Sequence, residues 1–150
     1  MPSQNETWHV LIVEDHRPTA RLISTAFDEV DPLISTHVVH DGRECLSVLR
    51  NRGSSIPTPD LVLLDLDLED VHGLEVLDAR REDQWFRRIP TIVFSGKKDT
   101  ASVEQCYDRG ANTFIVKPDD FDGYLEIAEV IIQYWFSTAK LPERTNDSGP

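Results

Sequence analysis

The chain has 150 residues, 39% of them hydrophobic and 28% charged, with a formal net charge of −12. That length is one domain able to bury its own core, and no apolar run approaches the ~18 residues that a bilayer demands. The acid excess opposes a phosphate backbone, so nucleic acid is excluded as an expected partner; with no basic-then-apolar opening to signal export, a cytoplasmic protein making no membrane contact is expected.

In chain order, residues 1–7 form a polar extension. Trp8–Val13 is a strand, and about Arg17–Val30 a helix with Ala20, Ile23, Ala26 and Phe27 on one face. Ile34–Val39 follows as a strand, Gly42–Arg50 as a helix and Asn51–Pro59 as a loop rich in Ser and Pro. Leu61–Asp65 is the third strand, its unbroken apolar run Leu61–Leu64 being of the kind buried on both faces of a parallel sheet. About Leu74–Asp83 is helical, Thr91–Phe94 a strand, and Thr100–Arg109 a helix stopped by Gly110. Thr113–Val116 is the last strand, and about Asp120–Ser137 the last helix. A polar tail, 138–150, is expected to lose order toward its end. Strict alternation of strand and helix predicts an α/β fold: a doubly wound, five-stranded parallel sheet with helices on both faces.

Cys45 and Cys106 fall within helical segments and read as core thiols; no Cys/His spacing suggests zinc. His16 and His72 flank acidic loops. The chemistry gathers at strand ends. Glu14-Asp15 follows the first strand, Asp65 ends the third, Ser95 follows the fourth and Lys117 the fifth. Parallel strands would bring these groups to one sheet edge, where open α/β folds place their sites. Two like charges ~4 Å apart cost ~4 kcal/mol at an effective dielectric of ~20, so protons or a cation must relieve the acids. Hard oxygen donors suit Mg²⁺. A carboxylate nucleophile, a divalent ion, a lysine and a hydroxyl make a phosphoryl-transfer apparatus. Taken singly, each residue has a plainer role: Glu14 and Asp15 could open a helix, Ser95 cap a loop, and Lys117 lie on the surface.

The sequence resembles the receiver domain of response regulators across residues 8–137. The matching pieces are Val10–Asp15, Pro59–Asp65 with Gly73–Leu77, Ile89–Gly96 and Gly110–Pro118. The resemblance implies a flavodoxin-like (βα)5 fold with strand order 2-1-3-4-5. It implies Asp65 as phosphoacceptor from a sensor histidine kinase, and Mg²⁺ held by Asp15 and Asp65, with Glu14 in the acidic pair and the Asp67 backbone carbonyl completing the metal site. Ser95 would be the switch hydroxyl, Phe114 the switch aromatic, and Lys117 the phosphate partner, its bond to Pro118 typically cis. The change would reach the face of the fourth helix, fifth strand and fifth helix. Output would be through protein–protein contacts, with the domain promoting gain and loss of its own phosphoryl group rather than acting as an enzyme.

Three departures stand out. Glu69 replaces a common proline, Phe114 a frequent tyrosine, and Asp67 places an extra carboxylate beside the phosphate site. The ending Tyr134-Trp135-Phe136 with Leu141-Pro142 resembles stand-alone receivers that serve phytochrome-like kinases, and its aromatic area suggests a homodimer through the final helix. Trp135 reads equally as helix-face core. Two rival readings remain. Asp65-Leu66-Asp67 matches the Asp-x-Asp motif of haloacid-dehalogenase-like phosphatases, though that motif belongs on an opening strand. The other is a binding module of the same fold that works without phosphorylation.

Overall fold

A computed structural model describes residues 7–50 and 55–143. The elements are β1 (Trp8–Val13), α1 (Arg17–Val30), β2 (Ile34–Val39), α2 (Gly42–Arg50), β3 (Leu61–Leu64), α3 (Gly73–Glu82), β4 (Thr91–Ser95), α4 (Thr100–Asp108), β5 (Thr113–Val116) and α5 (Phe121–Gln133). All strand pairings are parallel, in the order β2-β1-β3-β4-β5. The predicted architecture and strand order are therefore observed. Expected order or disorder at the ends of the chain, and part of the Ser/Pro-rich loop, lie outside the described residues.

Alternation along each strand divides the core in two. Val10, Ile12, Leu61, Leu63, Ile92 and Phe94 pack with Ile23, Ala26 and Phe27 of α1 and with Tyr124, Ala128 and Ile131 of α5. The intervening residues Leu11, Val13, Val62, Leu64 and Val93 pack with Cys45 of α2, Val76 and Leu77 of α3 and Cys106 of α4. Burial on both faces explains why the strands read as continuous apolar runs. Each fully buried phenylalanine, such as Phe27, contributes about 1.5–3 kcal/mol by leaving water. Both cysteines are buried free thiols, as expected, and burial pushes Cys45 up to about 12. No helix among the described residues is long and apolar enough to cross a membrane.

Two local features depart from the predicted elements. A 3₁₀ turn, Phe86–Arg88, stands where no element is predicted. Asp83 builds it: its Oδ1 accepts the N–H groups of Trp85 at 2.8 Å and Phe86 at 2.9 Å, and Phe86 is buried. The final α-helix ends at Gln133, and Tyr134–Thr138 continue as a π-helical turn closed by Ala139 N–H to the Tyr134 carbonyl at 2.7 Å. Phe136, within that wider turn, stacks on Trp8 with ring centroids 5.0 Å apart. Trp135 is half-buried against the α1/α5 core, while Tyr134 is 52% exposed. The aromatic run is thus split between core and surface.

At the amino edge of the sheet, Arg80 is buried, and its hydrogen bonds all go to carbonyl or amide oxygens. It donates to Ile89 (3.1 and 3.2 Å), Gly110 (2.8 Å) and Arg87 (3.1 Å), and to Asn112 Oδ1 (3.0 Å). Asn112 Oδ1 also accepts Thr91 N–H at 2.8 Å. Gly110, at φ 92°, takes the left-handed conformation that favours glycine, and it ends α4 where predicted. Burial lowers the Arg80 guanidinium from its ordinary value, yet arginine stays charged. Arg80→Met keeps the stem but strands these acceptors. It should destabilise the fold by about 2–4 kcal/mol, measured as a lower urea midpoint at unchanged slope.

Candidate functional site at the carboxyl edge of the sheet

The strand ladders fix the site's backbone. Glu14 N–H donates to the Val39 carbonyl at 3.0 Å, Asp65 N–H to Val13 at 3.0 Å, and Lys117 N–H to Ser95 at 2.8 Å. Each residue one step beyond a strand is thereby locked to the neighbouring strand. Val13 pairs with Leu64, so Glu14 and Asp65 emerge side by side. A carboxylate oxygen from each of Glu14, Asp15 and Asp65 lies within 4.8 Å of the others. Glu14 and Asp65 are buried, and Asp15 is partly exposed.

Lys117 crosses from β5 into this cluster. Its Nζ lies 2.6 Å from Glu14 Oε1 and 3.3 Å from Asp65 Oδ1. Glu14 Oε2 accepts His16 N–H at 3.2 Å, and the Glu14 carbonyl lies 3.2 Å from His40 Nδ1. Burial lifts Glu14 to about 7, the Lys117 hydrogen bond opposes that rise, and the charge of Asp65 adds to it. For Lys117, burial alone would lower the ammonium, but its bond to Glu14 and the fields of both acids raise it. The lysine stays protonated. Three carboxylates against one ammonium leave an anionic excess that a divalent cation matches, and the all-oxygen donor set is of the hard kind that suits Mg²⁺.

Ser95, fully buried at the end of β4, accepts Lys97 N–H on its Oγ at 3.1 Å. Phe114 in β5 is half-buried against the α2–α4 core. The Lys117–Pro118 bond is a correction: it is trans, as are all peptide bonds among the described residues. Trans is the lower-energy isomer at X–Pro by about 0.5–1 kcal/mol. The Asp67 carboxylate is not among the three clustered acids. It is half exposed and forms an ion pair with Lys97 at 3.2 Å, joining the loop after Asp65 to the loop after Ser95.

Several supporting residues were not legible as such in the sequence. Asp70 accepts Gly42 N–H at 3.0 Å and Arg43 N–H at 3.1 Å, so the loop after Asp65 caps α2. Desolvation works to raise its carboxyl, and backbone N–H bonds from Val71, Arg43 and Gly42 prevail and lower it. His16 and His72, noted for their acidic surroundings, cap α1 and α3 through their rings. Gly73 gives the loop its close approach: a Cβ there would stand 2.7 Å from the Asp65 carbonyl oxygen. Only the glycine and aspartate types carried a hint in sequence; the pairings depend on the fold.

Glu14 yields a pH prediction for the metal-free protein. A carboxyl raised to about 7 in the fold, from 4.5, favours the folded state below the unfolded value. That contribution fades as pH rises through the interval and is gone above the folded value. Wild type should therefore lose melting temperature between pH 5 and pH 7.5 relative to Glu14→Gln, and millimolar Mg²⁺ should shrink the loss.

Residues 10–129 match the response regulator receiver domain. The probable methanogenesis regulatory protein FilR2 of Methanothrix harundinacea is 31% identical over 134 residues, covering 89% of this chain and 86% of that protein. Response regulator Rcp1 of Synechocystis sp. is 26% identical over 135 residues, 89% of this chain and 92% of its own length. Among solved structures, the phosphorylated cyanobacterial phytochrome response regulator RcpA superposes with a TM-score of 0.85 at 31% identity, over 92% of this chain and 100% of that one. An extended match to the receiver pattern, carried on the same parallel sheet, makes this chain a member of the response regulator receiver domain family of two-component signalling.

Proposed function

We propose that the chain accepts a phosphoryl group on Asp65 from a sensor histidine kinase, in a reaction that requires Mg²⁺. The observation that carries this reading is the Lys117 ammonium bound to Asp65 and Glu14 within a cluster of three carboxylates. A carboxylate oxygen of Asp65 would attack the phosphorus of a phosphohistidine; the P–N bond breaks as the acyl phosphate forms. Asp15 and Asp65, with the Asp67 carbonyl, would hold the cation, which when bound neutralises phosphoryl oxygens. Lys117 would transfer part of its ion pairing to the new phosphoryl group. Ser95 supplies a hydroxyl from the adjoining strand end, and Phe114 is the aromatic that reads the change. The same groups would assist hydrolysis of the acyl phosphate. The pairing of Asp67 with Lys97 reduces the repulsion that a lone carboxylate would exert.

A phytochrome-like kinase as donor is supported by the likeness to RcpA and Rcp1. The phosphatase alternative is disfavoured because Asp65 follows the central strand rather than the opening one. With acetyl phosphate and Mg²⁺, the protein should gain one acid-stable, base-labile phosphoryl group. Asp65→Asn should abolish labelling, and Asp15→Ala should remove most of the Mg²⁺-dependent rise in melting temperature. Undiminished labelling of Asp65→Asn would refute the assignment.

The signal would leave by protein contacts, including a homodimer through α5. Val130 of α5 and Tyr134 of the π turn that continues it, 65% and 52% exposed, form an outward apolar surface and line a groove of about 620 Å³. Sedimentation at tens of micromolar should show a dimer that Val130→Glu weakens. A monomer both with and without phosphorylation would count against it.

A further inference from the structure

Tyr107 projects from α4, half exposed, and its hydroxyl oxygen accepts the backbone N–H of Phe114 at 3.1 Å. β5 is an edge strand with only β4 beside it. Lys117 N–H turns inward to Ser95, whereas Phe114 N–H, an odd number of residues away, is directed off the open edge. An edge N–H ordinarily goes to water or to another chain. Here a side chain of the adjoining helix takes it. Phe114 is therefore held twice: its ring packs against the α2–α4 core, and its backbone is tied to α4.

We propose that Tyr107 is a positioning residue of the switch, its hydroxyl tying the β5 backbone at Phe114 to α4 and weighting the equilibrium toward the unphosphorylated arrangement. The inference rests on the reading of Asp65 as phosphoacceptor and Phe114 as the residue that reads it. A rearrangement that separates α4 from β5 must give up this bond and return the N–H to water. A bond present in one state and absent in the other shifts the equilibrium by its net worth. For a neutral hydrogen bond, that is about 2- to 12-fold.

Tyr107→Phe removes only the hydroxyl and keeps the ring. The readout is the affinity for beryllofluoride with Mg²⁺, a phosphoryl analogue that occupies a carboxylate, together with amide hydrogen exchange at Phe114. The variant should bind beryllofluoride about 2- to 12-fold more tightly than wild type, and its Phe114 amide should exchange faster in the unliganded protein. A purely structural tyrosine would lower the melting temperature and leave that affinity unchanged. Equal or weaker beryllofluoride binding by Tyr107→Phe overturns the inference. Failure of wild type to bind beryllofluoride overturns the phosphoacceptor reading itself, and the inference with it.

Discussion

One ammonium group makes the carboxyl edge of this sheet tenable. Glu14 and Asp65 are buried and adjacent because β1 and β3 are hydrogen-bonded neighbours in register. Two ionised carboxylates at such a separation repel by about 3–4 kcal/mol at an effective dielectric of ~20. Lys117, brought from the edge strand two places from β3 and three from β1, reaches both. The compensation is incomplete: burial first, and the charge of Asp65 after it, hold the Glu14 carboxyl up at about 7 against the pull of Lys117. The cleft consequently favours any species that adds positive charge, or that replaces a carboxylate's demand on the lysine. Its chemistry follows from that residual imbalance.

The opposite end of the sheet solves a different problem. Arg80 gathers carbonyls from the 3₁₀ turn, the Gly110 turn and the approach to β4, with no carboxylate partner among the described residues. The guanidinium there closes backbone groups that no ladder can reach, in a place where loops converge. It holds the starts of β4 and β5 together, so Ser95 and Lys117, the far ends of the same strands, inherit a fixed spacing. Rigidity at one edge serves positioning at the other.

Much of the architecture was legible because strands buried on both faces cannot hide in sequence. The buried runs ending at Val13 and Leu64 announce where Glu14 and Asp65 must emerge, and the short, partly exposed edge run ending at Val116 does the same for Lys117. What escaped depends on meetings between loops. Nothing periodic marks Asp70 as the cap of α2, Lys97 as the partner of Asp67, or Arg80 as a buried guanidinium. The aromatic ending of the chain misleads for a related reason. Helical spacing cannot foresee the π turn that separates Tyr134, exposed, from Phe136, stacked on Trp8. The bond before Pro118, expected as cis from the resemblance alone, is trans, and no residue pattern in the chain itself argues for either isomer.

The stacking of Phe136 on Trp8 has a spectroscopic consequence. All three tryptophans lie at the amino edge of the strands or beyond the end of α5: Trp8 opens β1, Trp85 precedes the 3₁₀ turn before β4, and Trp135 neighbours Phe136. The carboxylate cleft is at the other edge. Intrinsic indole emission is therefore a remote gauge in this chain. Any change in it on occupation of the cleft would report motion carried along the length of the strands, rather than quenching by a group bound nearby.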